Sequence, residues 1–516
     1  MKALRLIIIS LILIAVASPV FPASAVLKVQ VSPEVWQDTA NGATADFLVI
    51  LRSQADINTL AVAPMAAAQR GERVYQALRQ AANAAQPALQ AELQARQVLF
   101  RSYWIVNMLV VHGDQALVAY LASRPDVEYI EPDRPFKANL ETPDTTTIKV
   151  QSPTTPTAVS LTPQWNLNTV HAPDLWARGV TGKGIVYATA DTGVQWNHPA
   201  LQNQYRGWDG TTANHNYNWW DAVHASESWG GLTNICGFDL QAPCDDYGHG
   251  THVTGIGVGT GDGVTAIGVA PGARWIACRN MNGGFGKPST YIECLQFFMA
   301  PTNLQGNAPD PSKRADVISN SYSCPQISEG CAPHSLRAAV QAVRAAGIFM
   351  SVSSGNEGGL GCSSIIDPPG LEASVFTVGN TDSSNVIAPS SSRGPVTIDG
   401  YNLLKPNLVA PGTIVYSSWS NNTYTTLTGT SMSAPHVAGA VALLWSAFHW
   451  LKNDVFATEL LLEITAKPLT SSQGCGGDSP TAVPNNVYGY GLLDILASYN
   501  MAISKLEKIY LPFLTK

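Results

Sequence analysis

Apolar and polar positions divide the chain into blocks with different periods. The first is a continuous apolar run, Leu6 to Val16, behind the basic start Met1-Lys2-Ala3-Leu4-Arg5 and ahead of Ala23-Ser24-Ala25. That order predicts a signal peptide over 1–25, and the run is short of a bilayer span. The second block, 26–138, predicts a small α+β unit. Phe47–Leu51 and Tyr103–Val111 read as strands, and Val127–Asp133 as a further extended run. Met65 to Gln97 carries Ala, Gln, Leu and Arg at helical spacing, with Pro64 ahead of it and Pro87 as a point of division. Gln115 to Arg124 predicts another helix. Residues 139–163 are rich in Thr, Pro and Ser and read as a linker.

From 164 to 500 the pattern alternates. Short β-rich runs are expected at Gly184–Ala190, Ala273–Cys278, Asp316–Ser319, Ile348–Ser353 and Val375–Val378. Helical segments fall at Thr251–Gly257, Ser289–Phe298, Ser335–Ala346 and in the long apolar stretch after Ser431. Such alternation predicts an α/β fold, a mostly parallel sheet covered by helices on both faces. Functional groups in these folds gather at the carboxyl ends of strands, where Asp191 and Asn356 fall. The apolar end, 501–516, reads as a tail.

Composition narrows the class. Charged residues make up 13% of the 516, and the net charge of −7 leaves no basic stripe for nucleic acid. No stretch after the leader is long and apolar enough to cross a membrane. A secreted, extracellular monomer is expected. The eight cysteines all follow residue 235, and an even number in an exported chain suggests disulfides. Proximity suggests Cys236/Cys244, Cys278/Cys294 and Cys324/Cys331, leaving Cys362 and Cys475, one of about 105 connectivities.

Four polar residues stand in glycine-containing contexts. Asp191 ends an apolar strand in Ala190-Asp191-Thr192-Gly193. His249 lies in Tyr247-Gly248-His249-Gly250-Thr251-His252, Asn356 in Ser354-Gly355-Asn356-Glu357, and Ser431 in Gly429-Thr430-Ser431-Met432-Ser433. Taken singly, three of them have a plainer reading: a turn aspartate, a turn asparagine, a helix-capping serine. Together they supply a nucleophile, a base, a group to hold the base and an oxyanion donor. His252, three residues after His249, raises a metal pair, but no further ligand cluster is evident and a core histidine is expected.

In the order Asp, His, Ser, these motifs resemble the subtilisin family of serine peptidases, over about Trp165 to Asp494. Asn197-His198-Pro199 and Gly268-Val269-Ala270-Pro271 add to the likeness. Residues 26–138 more weakly resemble the family's inhibitory propeptide. The resemblance implies a self-processing zymogen acting on proteins or peptides, with its propeptide as intramolecular inhibitor and a processing site in or near 139–163. Ser431 becomes the nucleophile, His249 the general base and Asp191 its orienting acid. Asn356 joins the Ser431 backbone N–H in the oxyanion hole, and Thr430 adds a weaker donor. A catalytically silent binding protein with the same fold is the alternative. An esterase of the α/β-hydrolase type is disfavoured, because Ser433 stands where the final Gly of its motif belongs and both partners precede the serine.

The resemblance also places the substrate cleft. One edge contains Gly284, Phe285 and Gly286, the other Ser321, Tyr322 and Ser323, with Ser354 and Gly355 beside Asn356. Ser321-Tyr322-Ser323-Cys324 departs from the family's Ser-(Leu or Trp)-Gly-Gly, which predicts a narrower primary pocket. Asp367, ahead of Pro368-Pro369, falls near the base of that pocket and would favour Arg or Lys in the substrate. No cofactor is required. Structural calcium is expected only weakly, since Ala200 replaces the family's acid after His-Pro and the loop 259–264 offers Asp262 alone. Asp239, Asp245 and Asp246 could make a different site, but are read as solvated loop acids.

Overall fold

The computed structural model describes residues 29–62, 67–143, 148–149, 161–226, 229, 232, 234–325 and 331–514. The signal-peptide expectation lies outside the described residues.

The carboxyl-terminal body is built on a seven-stranded sheet. Its order is Trp219–Asp221, Arg274–Arg279, Val186–Asp191, Val317–Asn320, Phe349–Ser353, Phe376–Thr381 and Leu408–Pro411. Every pairing in it is parallel. The strands are apolar on both faces because helices cover both. The helix Thr430–Ala447 is buried along its length to Trp445 and packs against the central strands. This helix ends at Ala447, before the end of the apolar stretch at Trp450, which is exposed. Trp219–Asp221 and Leu408–Pro411, not anticipated, close the two edges of the sheet. The four disulfides are Cys236–Cys244, Cys278–Cys294, Cys324–Cys331 and Cys362–Cys475.

The amino-terminal module is a five-stranded sheet ordered Gln30–Val31, Val127–Pro132, Ala45–Leu51, Met108–Gly113, Phe100–Tyr103. Two expectations need correction here. The helix Ala67–Ala95 passes through Pro87 without dividing. Packing on both sides of the proline, by Val74, Leu78 and Ala82 before it and Leu89 and Leu93 after it, holds the two halves together. The single strand expected over Tyr103–Val111 is a hairpin, with Trp104–Asn107 as its turn. An apolar turn is stable there because it is docked. Trp104, Ile105 and Val106 are buried in a core shared with Ile292, Leu295 and Phe298. The Trp104 and Ile105 amides donate to Gln296 Oε1 at 2.7 and 3.2 Å.

Further polar contacts tie the two bodies. Asp133 accepts from Ser289 N and Ser289 Oγ, at 2.9 and 2.7 Å, and so caps the helix Pro288–Met299 from the other module. Lys287 Nζ reaches Asp46 Oδ2 at 2.9 Å. Tyr103 Oη donates to Glu293 Oε2 at 2.7 Å. Two side chains of the carboxyl-terminal body, His334 and Ser335, meet the Glu131 carboxylate at 2.9 and 2.7 Å.

In the stretch 139–163, expected as a linker, two short strands pair with the larger body. Ile148–Lys149 pairs antiparallel with Thr423–Tyr424, and Thr162–Pro163 pairs with Thr265–Ala266. The boundary expected at 500/501 falls inside a helix, Ile495–Leu514, in which Ala502 is buried.

Candidate active site

Asp191 is the last residue of its strand and has no solvent exposure. Its Oδ1 accepts from the Thr192 amide at 2.8 Å and meets His249 Nδ1 at 2.8 Å. His249 is the first residue of a helix running to Val258. Gly248 before it sits at φ 109, and a Cβ there would come 2.5 Å from the Trp419 ring. Glycine therefore lets the chain turn against Trp419 and aim the imidazole at Asp191.

Ser431 lies in the first turn of the helix Thr430–Ala447, where backbone N–H groups lack intrahelical partners. Ser431 Oγ donates to the Ser321 carbonyl at 3.3 Å, and Ser321 Oγ donates to the Ser431 carbonyl at 2.9 Å. Asn356 follows the strand Phe349–Ser353. Its Oδ1 accepts from Thr430 N at 3.0 Å and Thr430 Oγ1 at 3.1 Å. That fixes the amide so that Nδ2 faces the space in front of Ser431. Thr430, expected as a donor to the oxyanion, acts here on Asn356 instead.

That space holds a residue the sequence did not single out. Glu141 Oε2 meets His249 Nε2 at 2.9 Å, and Asn356 Nδ2 donates to Glu141 Oε1 at 2.8 Å. A Cβ at Gly429 would come 1.7 Å from Glu141 Oε1, so the carboxylate lies tight against that glycine. Burial alone would weaken proton binding by His249, but the carboxylates of Asp191 and Glu141 flank it and raise its pKa to about 10. Burial likewise opposes charge on Glu141, yet His249 and the Asn356 amide hold its carboxyl below the usual range.

Upstream of Glu141 the chain lies along the expected cleft edge. Phe136–Lys137 pairs antiparallel with Phe285–Gly286, and Ala138 N donates to the Gly284 carbonyl at 2.8 Å. A residual cavity of about 20 Å³ is lined by Leu140, Ser321, Tyr322, Ser323, Gly355 and Ser431. The Tyr322 ring stacks on Tyr291 at 4.2 Å. Ser354 continues the strand end, its amide donating to the Val378 carbonyl. Asp367 is half-buried, its carbonyl accepting from Leu371 N, and it is not among the residues lining this cavity.

The chain matches the model of the subtilase family over residues 182–491. The chain belongs to the subtilase family. It is a serine peptidase by that membership. This subtilase is 36% identical over 419 residues to Bacillopeptidase F of Bacillus subtilis (strain 168), covering 79% of its own length and 27% of that relative. It is 30% identical over 285 residues to Subtilisin BL of Lederbergia lenta, covering 54% of itself and 83% of the relative. Subtilisin DY of Bacillus licheniformis is 29% identical over 330 residues, 64% of this chain and 96% of the relative.

The subtilase's own residues do not fit a calcium ion at the places considered. Ala200 is buried where an acid would be needed. Asp262 accepts from Val264 N, Thr265 N and Tyr416 Oη. Asp239 and Asp246 are bound elsewhere, to His224 and to Arg279. Asp245 is no solvated loop acid: half-buried beside the helix of His249, it accepts from Gly248 N, Thr251 N and Thr192 Oγ1. Among the described residues, no three His, Cys, Asp or Glu side chains are placed to hold a metal. His252 is a core histidine whose Nε2 lies 3.2 Å from the Thr425 carbonyl. Burial pushes its pKa down to about 3. Among the described residues, no helix is long and apolar enough to cross a membrane.

Proposed function

We propose that this chain is a secreted serine endopeptidase, made as a zymogen, that cuts peptide bonds in proteins through Asp191, His249 and Ser431. The observation that carries this is the Glu141 carboxylate. An anion is held by the base and by the Asn356 amide together, tight against Gly429, two residues before the serine. A tetrahedral oxyanion would need the same donors in the same place.

In the reaction, substrate enters as an extended strand beside Phe285–Gly286, as Phe136–Lys137 does now. His249 takes the Ser431 proton as Oγ attacks the scissile carbonyl carbon. The carbonyl oxygen, now negative, accepts from Asn356 Nδ2 and the Ser431 N–H. Asp191 holds the imidazolium through Nδ1–H. His249 then protonates the leaving amine, and water repeats the sequence on the acyl-enzyme. A preference for Arg or Lys through Asp367 belongs to the same proposal, and a peptide library read for the residue before the cut would decide it.

The reading is tested with a fluorophosphonate probe on the processed chain, followed by peptide mapping. Labelling at Ser431 is expected, and absence of label there would leave the silent binding protein. Asn356→Ala should lower kcat by roughly 10²–10³, the effect known from removing one oxyanion donor in a subtilisin, with KM little changed. A change confined to KM would remove Asn356 from the oxyanion hole.

A further inference from the structure

The amino-terminal module meets the larger body through the hairpin turn, the cap on Pro288–Met299 and its helices Ile57–Val62 and Ala67–Ala95, which pack on Arg337–Ala345, all far along the chain from the nucleophile. Just past the module, in the stretch 139–163, the charged side chain of Glu141 reaches the reacting groups. We propose that Glu141 is a side-chain plug: its carboxylate occupies the oxyanion hole of the uncut chain and must withdraw before Ser431 can react, an inference that rests on the triad proposed above.

Three observations converge. First, the carboxylate takes both functions of the site at once, Oε2 on His249 Nε2 and Oε1 on Asn356 Nδ2. Second, with His249 Nε2 so engaged, Ser431 Oγ donates to the Ser321 carbonyl at 3.3 Å. Third, the backbone on either side is pinned. Upstream it pairs with Phe285–Gly286, and downstream Ile148–Lys149 pairs with Thr423–Tyr424. Glu141 is thus carried across the front of the serine between two strand pairings. Gly429 supplies the space, since any Cβ there would collide with Oε1.

The electrostatics run the same way. His249 faces Asp191 on one side and Glu141 on the other, with His252 behind it. Tyr247 and Glu357 are the other titratable groups that feel the Glu141 charge. Two carboxylates favour the imidazolium, which cannot accept a proton from serine. Withdrawal of Glu141 therefore frees the hole and removes one of the two carboxylates that favour the imidazolium. The contact belongs to the side chain. A cut peptide would place a main-chain carboxylate in such a hole, whereas the carboxylate here is the side chain's own.

The test follows Ser431 reactivity in the uncut chain. Full-length wild type, Glu141→Ala, Glu141→Gln and Ser431→Ala are refolded at one pH with a fluorophosphonate probe present. Ser431 Oγ displaces fluoride from the probe, and intact mass separates labelled uncut chains from processed ones. A site open a tenth of the time reacts about ten times more slowly. The initial labelling rate of uncut chain should rise about tenfold or more in both Glu141 variants, and Ser431→Ala should take no label. Glutamine keeps the size without the charge, so it guards against a folding defect in the alanine variant. If either variant labels at the wild-type rate while processed wild type labels readily, the plug is wrong and the triad stands. If processed wild type also takes no label at Ser431, the triad reading fails and the plug fails with it.

Discussion

Ser431→Ala is expected to lower peptide hydrolysis by about 10⁶-fold, the scale reached when a subtilisin loses its nucleophile. Ser431 supplies the only protein oxygen in the proposed chemistry that bonds to substrate, and its neighbours are otherwise engaged. Thr430 Oγ1 is committed to Asn356, and Ser433 Oγ donates to the Ala410 carbonyl. The substitution removes the hydrogen bond to Ser321 but deletes few other atoms, so the fold should persist. The same variant should keep the amino-terminal module, whereas wild type should appear at the mass of a chain beginning between residues 137 and 163. If both forms retain the module, self-processing is wrong. If both lose it, another protease makes the cut, and the hydrolysis assay alone decides the role of Ser431.

Asp191→Ala should cost about 10⁴ in kcat/KM and move the acid side of the pH profile. Asp191 does two things. Its Oδ1 fixes the imidazole through Nδ1, and its charge favours the imidazolium. His249 must be neutral to accept the serine proton, so activity rises as pH climbs through the imidazole pKa. Removing a carboxylate that raises this pKa makes the rise begin at lower pH, on a much smaller rate. A profile of kcat/KM against pH for the processed variant checks both parts. A large rate loss with an unmoved acid limb would mean that Asp191 orients His249 without tuning it.

The residues proposed for the chemistry were legible because each sits in a local pattern that needs no partner to be read. Asp191 ends an apolar run, His249 and Ser431 open helices behind a glycine, and Asn356 follows Ser354-Gly355. Glu141 has no such pattern. It stands in a Thr- and Pro-rich stretch, and its partners are 108 and 215 residues away. Only the path of the chain brings them together. Trp104–Asn107 was misread for a related reason. An apolar tripeptide between two apolar strands looks like more strand, and what makes it a turn is Gln296, 192 residues from Trp104. The edge strands Trp219–Asp221 and Leu408–Pro411 are too short for their period to register. Proximity, by contrast, sufficed for three cysteine pairs separated by 7 to 16 residues.

The fourth pair, Cys362–Cys475, spans 113 residues, and the segment it closes includes the whole helix that bears Ser431. A protease at high concentration meets copies of itself, and exposed loops such as the turn at Asp399-Gly400 are where a first nick would fall. Any single nick between the two cysteines leaves both pieces covalently joined. Such a molecule gains the mass of one water and keeps its nucleophile tethered, while a reducing gel shows it as fragments. Autolysis in this region should therefore appear on reduced gels well before it appears as lost activity.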